Sequence, residues 1–334
     1  MTLILAAPEI EALLADVDVI GVVEAIHVDL GTGAMTQPSP SALTGGDDSI
    51  LLPMAARSDR LGLAAVKLMA DIPRNIDRGL PTQRSTILVS SVETGESVAV
   101  LDGAMITRLR TAAASAVATR HLARRGPAVL GLVGAGNLAV AHVMALRTVM
   151  ELDRLVVWSR SPETVGRFVD AVAEFAPALT VDVAADARGV VTASDVVCTV
   201  TPSIDPIVKG SWLRPGQHIN AVGARPRPTH RELDGAAMGR GTLVVDSAAT
   251  SRTKSGDLIQ ALREGALGVD PRLRELGEVV AGIAPARISP DEITVFDSVG
   301  IAAQDLAVAA AVIDLAIARG VGDERRLAPV AVRA

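Results

Sequence analysis

The sequence predicts an α/β protein in which a β-rich domain precedes a doubly wound parallel sheet. Three observations carry that reading. Over roughly residues 1 to 100, short apolar runs alternate with Gly, Pro, Ser and Asp clusters, the pattern of strands and turns. Beyond Pro127, continuous β-branched runs alternate with helix-like segments, as expected for parallel strands covered on both faces. The first of those runs ends in the glycine-spaced turn "VGAGNLA" (residues 133–139).

Each element follows in order. "SILLPMAA", "LGLAAVKLMA" and "RSTILVSSVETGESVAVLDG" read as strands, the last as two joined by a Glu-Thr-Gly-Glu turn. From Gly103 to Arg125 an Ala-rich helix is predicted, stopped at Gly126-Pro127. Six strands are then expected, at "AVLGLVGAG", "LVVWSRS", "LTVDVAA", "DVVCTVT", "HINAVGA" and "TLVVDSA". Between the second and third, "SPETVGRFVDAVAEFA" offers a Ser cap, Pro at the first helical position, and Val165, Phe168, Val169 and Val172 on one face. The tail "ITVFDSVGIAAQDLAVAAAVIDLAIARG" reads as a strand, a loop and a long apolar helix. The expected boundaries are 1–125, 126–284 and 285–334, the last segment returning to the first domain.

Composition narrows the function classes. A chain of 334 residues with 49% hydrophobic and 21% charged residues buries a large core and is not a disordered polypeptide. Its net charge of −6 argues against a sequence-independent nucleic-acid binder, which needs a basic surface. Cys198 is the one cysteine, so no disulfide forms within the chain, and a cytoplasmic location is expected. The amino-terminal stretch mixes acids into its apolar run and resembles neither a signal peptide nor a membrane span.

The turn at Gly134, Gly136 and Ala139 has the G-x-G-x-x-A spacing of a Rossmann-type dinucleotide site. The first glycine permits a tight turn, the second lets the backbone approach a pyrophosphate, and Ala139 lets helix and strand pack closely. The following strand ends about 20 residues later, where an acid usually grips the adenosine ribose. Here Ser159, Arg160 and Ser161 stand instead, a cation and two hydroxyls suited to a 2′-phosphate, so NADP(H) is the expected cofactor. An arginine stacked on adenine with NAD(H) bound is the alternative.

Further stretches carry a family resemblance. "VKLMADIPRN", "ITRLRTAAASA", "INAVGARPRPTHRELD" and "ITVFDSVGIAAQD", around the "VGAGNLA" loop, resemble the ornithine cyclodeaminase and mu-crystallin family over roughly residues 20 to 320. The resemblance implies a homodimer whose first domain carries substrate and dimer contacts, with hydride exchange at the α-carbon of a small amino or imino acid. It implies that Lys67 and Arg110 bind the substrate carboxylate and that Thr82 lies by the cofactor. Asp297, Ser298 and Val299 match family residues near the nicotinamide. The candidate cofactor contacts are then Thr82, Arg110, Gly134, Gly136, Asn137, Leu138, Ser159, Arg160, Ser161, Thr199, Ala221, Val222 and Ser298, with Val299 toward substrate. Spacing alone does not separate Arg110 from a surface charge beside Arg108.

Two departures from the family pattern shape the functional expectation. An Arg that follows a Gln-Pro pair in family members is replaced in "MTQPSPSAL" by Pro40 or Ser41, and Arg84, alternating with Thr82 and Thr86 on one strand face, is a candidate replacement. The Asp that follows the Val-Gly pair in cyclodeaminases and alanine dehydrogenases gives way to Arg225 or Pro226, with no acid before Glu232. A pocket rich in positive and short of negative charge is expected, better suited to reducing a protonated imine than to deprotonating an ammonium. Asp305 is expected as a helix cap or a solvated side chain at least as readily as a site residue. His27, His121, His142, His218 and His230 show no metal spacing, and His230 is a weak acid-base candidate. The expectation is an NADPH-dependent reductase of a small, cyclic imino acid. Alternatives are an ornithine cyclodeaminase or amino-acid dehydrogenase, and a non-catalytic NADP-binding protein.

Overall fold

Strand β1 (Thr2–Leu5) opens the chain, followed by helices α1 (Ala7–Leu14) and α2 (Val19–Gly31) and the short strands β2 (Met35–Thr36) and β3 (Leu43–Thr44). Four longer strands come next, β4 (Ile50–Ser58), β5 (Leu63–Asp71), β6 (Gln83–Ser91) and β7 (Ser97–Asp102), then helix α3 (Ala104–Leu122). The second half runs β8 (Ala128–Val133), α4 (Asn137–Leu146), β9 (Leu152–Trp158), α5 (Pro162–Phe175), β10 (Thr180–Val183), α6 (Ala187–Ala193) and β11 (Val196–Thr199). It continues with β12 (His218–Ala221), α7 (Gly235–Arg240), β13 (Thr242–Val245), α8 (Ala248–Lys254), α9 (Gly256–Arg263), β14 (Arg274–Glu275), α10 (Leu276–Val280) and β15 (Thr294–Asp297). Helix α11 (Ala302–Arg319) and strand β16 (Asp323–Arg325) complete it. This computed structural model describes residues 1–46, 48–126 and 128–327, so the expected stop at Pro127 lies outside the described residues.

The chain divides into two units, Met1–Arg110 with Ile301–Ala334, and Thr111–Gly300. In the first, the strand order is β16-β1-β7-β6-β5-β4-β2, with β3 on β4. The β4, β5 and β6 register sets Met54 opposite Lys67 and Lys67 opposite Ile87, which fixes a shared face because side chains alternate along each strand. That face carries buried Leu52, Met54, Ala56, Ala65, Ile87 and Val89. Helix α11 packs against β4, β5 and α2. The opposite face of the same strands stays open, with Leu51, Val66, Leu68 and Leu88 all exposed.

The second unit is an all-parallel sheet in the order β10-β9-β8-β11-β12-β15-β13-β14. All six expected strands are present, and β14 and β15 add two. The chain order reverses between β8 and β11, the switch point outside which open α/β sheets take ligands. Val133, Val190, Val197, Ile219, Val245, Leu258 and Val295 lie in its core. The tail strand pairs with both β12 and β13 and is buried throughout, so it belongs to this sheet and the return to the first unit begins at Ile301. Helix α3 likewise contributes Thr111 onward to this unit, its Ala112, Ala113, Ala114 and Ala116 fully buried.

Candidate active site

In the first unit, Lys67 interrupts an apolar face and has only 2% of its side chain exposed. An isolated buried ammonium would be expensive, so a partner is required. Asp305, in the first turn of α11, supplies it, with Oδ2 at 2.5 Å from Lys67 Nζ. Its Oδ1 accepts a hydrogen bond from Arg110 Nε at 3.0 Å. Arg110 Nη1 donates to Gln304 Oε1 at 3.0 Å, and Gln304 Nε2 donates to His27 Nε2 at 3.0 Å. Burial pushes the Lys67 ammonium down to about 8, against the raising influence of Asp305, with Arg110 lowering it further. Burial also pushes His27 down to about 4, so its imidazole is neutral. Two cations facing one carboxylate leave this cluster one net positive charge, enough to balance a single substrate carboxylate.

Three expectations are corrected here. Asp305 neither caps the helix, whose N-cap is Ile301, nor meets solvent, with 1% of its side chain exposed. The cationic cluster is therefore not short of negative charge, since a carboxylate sits inside it. Arg84 does not join the cluster: it pairs with Ala70, three residues from Lys67, which puts it on the opposite sheet face, and it is exposed. Thr82 precedes β6 and is half-buried. Gln37, of the Gln-Pro pair, accepts from Ala303 N–H at 3.2 Å, tying that segment to the start of α11 while Pro40 and Ser41 bring no cation.

In the second unit the glycine loop leaves β8. Gly134 has φ +109°, and a Cβ there would fall 2.8 Å from the Val200 carbonyl oxygen, so only glycine fits. Gly136 is the N-cap of α4 without a capping side chain, and a Cβ there would meet nothing within 4 Å. Open space at the amino end of a helix, facing its first amides at Asn137 and Leu138, suits a pyrophosphate. The first turn of α4 is braced from α3: Ser115 donates to His142 Nε2 at 3.0 Å, and His142 Nδ1 donates to the Leu138 carbonyl at 2.8 Å. Burial holds His142 near 4, so this bond pattern belongs to the neutral ring.

Gly134, Gly136, Trp158, Ser159 and Arg160 line a cavity of about 470 Å³ together with Val200, Thr201, Asp205 and Ile207. Ser161 accepts from Thr164 N–H at 3.2 Å as the cap of α5, which leaves its hydroxyl hydrogen to donate elsewhere. Arg160 is exposed and also borders a second cavity, of about 630 Å³, with Val165, Val169 and Val183. These residues fit a nicotinamide dinucleotide.

At the carboxyl ends of the other strands, several candidates are spoken for by the protein. Thr199 Oγ1 donates to Glu232 at 2.8 Å, and the Ala221 carbonyl accepts from Ser298 N–H at 2.9 Å. Val222 and Val299 are half-buried. Ser298 Oγ donates to Asp246 at 2.9 Å, which also accepts from Gly300 N–H at 2.7 Å and so shapes the loop around Val299. Asp297 is bonded by Ser255 at 2.7 Å, and burial with nearby Asp257 pushes its carboxyl well above the usual range. Glu232 is pushed up to about 7, first by burial and then by Asp257. The sequence offered no signal for Glu232, whose partners lie 9 to 33 residues away. His230 is buried and contacts Thr229 at 3.1 Å; His218 is buried and bonded to Thr294 and Asn220. Among the described residues no group of His, Cys, Asp and Glu could hold a metal ion, and no helix is long and apolar enough to cross a membrane.

Comparison with known proteins shows the family. The model of the ornithine cyclodeaminase/mu-crystallin family matches residues 1–320. The ketimine reductase mu-crystallin of Rattus norvegicus is 36% identical over 261 residues, 78% of this chain and 79% of the relative. The solved structure of Thermococcus litoralis Δ1-pyrroline-2-carboxylate reductase, in complex with NADH and L-proline, is 31% identical with a TM-score of 0.91, covering 97% of this chain and 100% of that one. An archaeal alanine dehydrogenase dimer with bound NAD is 33% identical, TM-score 0.91, covering 98% and 99%. The chain therefore belongs to the ornithine cyclodeaminase/mu-crystallin family, among its NAD(P)-dependent imino-acid reductases and amino-acid dehydrogenases.

Proposed function

We propose that this protein is an NADPH-dependent reductase of a small cyclic imino acid. The buried Lys67–Asp305–Arg110 cluster carries the proposal: its one net positive charge matches one carboxylate, and the arginine also fixes that carboxylate's plane. When bound, the dinucleotide supplies a hydride, which goes to the carbon of the protonated C=N bond and leaves a neutral secondary amine. Lys67 and Arg110 hold and orient the substrate, so much of the acceleration comes from proximity. Gly134, Gly136 and the first amides of α4 hold the pyrophosphate, and Ser159, Arg160 and Ser161 receive the 2′-phosphate. In the place where a cyclodeaminase of this family carries its ammonium-binding Asp, this chain has Arg225 or Pro226, with no acid before Glu232.

The test is one panel. NADPH absorbance is followed with five- and six-membered cyclic imino acids and with pyruvate plus amines, while ammonia is followed from ornithine with NAD⁺. Imine-dependent NADPH consumption supports the proposal. Ammonia without imine turnover would make the chain a cyclodeaminase, and tight dinucleotide binding with neither reaction would make it a non-catalytic binder.

One observation favours a second reading, amino-acid oxidation. Lys67 sits near its transition at about 8 beside a carboxylate, so above that pH a neutral amine stands ready to take a substrate proton. The protein is proposed to work as a homodimer in the cytoplasm. The open β4–β6 face, with Val66 and Leu68 each 45% exposed, is an apolar surface of the kind a second copy covers. Leu68→Glu is expected to yield a monomer by sedimentation; an unchanged dimer would refute that assignment.

A further inference from the structure

Glu232 is fully buried, yet every bond of its side chain reaches the carboxyl end of β11 or a loop leaving β11 or β12. Its Oε1 accepts from the Thr201 backbone N–H at 2.6 Å and from Thr201 Oγ1 at 2.7 Å. Its Oε2 accepts from the Gly223 N–H at 2.7 Å and from Thr199 Oγ1 at 2.8 Å. The Glu232 carbonyl, in turn, accepts from the N–H groups of Ile207 at 2.8 Å and Val208 at 2.9 Å. One residue thus fastens both ends of the Val200–Ile207 segment, which walls the cavity bordered by Gly134 and Arg160. Asp257 Oδ1 holds Glu232 itself, accepting from Glu232 N–H at 2.9 Å and Leu233 N–H at 2.7 Å.

The loops it joins are stacked backbone on backbone. A Cβ on Gly223 would fall 2.1 Å from the Thr201 nitrogen and 2.4 Å from the Val200 carbonyl carbon. A Cβ on Gly134 would fall 2.8 Å from the Val200 carbonyl oxygen. Glycines therefore let the loops leaving β8, β11 and β12 approach backbone to backbone, with Val200 and Thr201 packed directly against Gly134 and Gly223.

We propose that Glu232 is the positioning residue of the dinucleotide cavity, fixing its Val200–Ile207 wall against the glycine loop and so setting dinucleotide affinity without touching the ligand. The inference rests on the reading of that cavity as the dinucleotide site. A carboxylate is the group the geometry requires. It is an acceptor at both oxygens and meets the backbone donors of Thr201 and Gly223, one at each. Glutamine has the same shape but turns one oxygen into a donor, which must then face one of those N–H groups with nothing to accept it. A purely structural role predicts only the loss of stability that an unpaired buried N–H brings, with the folded variant binding both dinucleotides as the parent does.

The experiment uses the full chain with Trp212→Phe, which leaves Trp158, a lining residue, as the one tryptophan. Energy transfer from Trp158 to NADPH and to NADH gives the dissociation constants, and melting temperature is measured alongside. Glu232→Gln, measured well below its melting temperature, is expected to raise both dissociation constants at least tenfold and to lower the transfer amplitude at saturation, with a melting temperature lowered by the unpaired N–H. Dissociation constants within twofold of the parent would overturn the proposal. Should the glutamine variant not fold, Thr199→Val removes one donor from a fully buried position, with a three- to fivefold rise expected; an unchanged value would overturn the proposal equally. A parent protein that binds neither dinucleotide would instead overturn the reading of the cavity, and this inference with it.

Discussion

Asp305→Asn is the substitution that most directly perturbs the Lys67–Asp305–Arg110 cluster. The asparagine keeps the shape but removes the one carboxylate bonded to both Lys67, at 2.5 Å, and Arg110, at 3.0 Å. Both cations are buried, so solvent screens neither, and breaking such a pair from one side typically costs about 3–5 kcal/mol. Lys67 has a way to limit that loss. It already sits near 8 with Asp305 raising it, and without that influence it releases its proton at neutral pH. The sign of the pH dependence follows. The folded variant holds Lys67 far below its unfolded value of 10.5, so the unfolded chain binds more protons between those limits and stability rises with pH through that window. Denaturant unfolding should therefore show a loss of about 3 kcal/mol at pH 7 and a smaller loss at pH 9. Acetate or formate should stabilise the variant more than the parent, because Arg110 is left without a carboxylate. A variant within about 0.5 kcal/mol of the parent at pH 7, and indifferent to added carboxylate, would refute the reasoning.

Other consequences are as direct. Because Lys67 carries its charge below about 8, kcat/KM for an imino acid should fall above that pH, and Lys67→Arg should move the fall beyond the measurable range; an unshifted profile would assign the ionisation elsewhere. Gly136→Ala should leave stability unchanged, since a Cβ meets nothing within 4 Å, yet raise the dinucleotide dissociation constant at least tenfold by filling phosphate space. Gly134→Ala, at φ +109° and against Val200, should also destabilise the fold by about 1–3 kcal/mol, read by thermal unfolding. Arg160→Ala should weaken NADPH by 10- to 100-fold and NADH by less than threefold, as expected for charge-assisted bonds worth about 1.5–3 kcal/mol; equal losses would mean the arginine stacks on adenine.

The parallel sheet and its nucleotide loop were legible because their signals are local. Strand runs, the Gly134–Gly136 spacing and the Ser161 cap each depend on neighbours within a few residues. The Lys67–Asp305–Arg110 cluster was half legible. Lys67 stood out as a lysine inside an apolar run, but its partner Asp305 lies 238 positions along the chain, and a lone acid near a helix start reads first as a cap. Arg84 failed for a similar reason. Alternation correctly groups it with Thr86, but which of two faces carries Lys67 is a matter of register between β5 and β6, invisible in either strand alone. Glu232 was passed over because its donors, at the end of β11 and in the loops after β11 and β12, lie 9 to 33 residues away.

The central claim is that hydride passes from the reduced dinucleotide to the carbon of a C=N bond held by Lys67 and Arg110. NADPH deuterated at the transferable C4 position, incubated with a cyclic imino acid and the protein, tests it in one mass spectrum. The account predicts a cyclic amino acid bearing one deuterium at the α-carbon, at one equivalent per NADPH consumed, and none of it with Lys67→Met. Product without the label, or no product while ornithine yields ammonia, would contradict it.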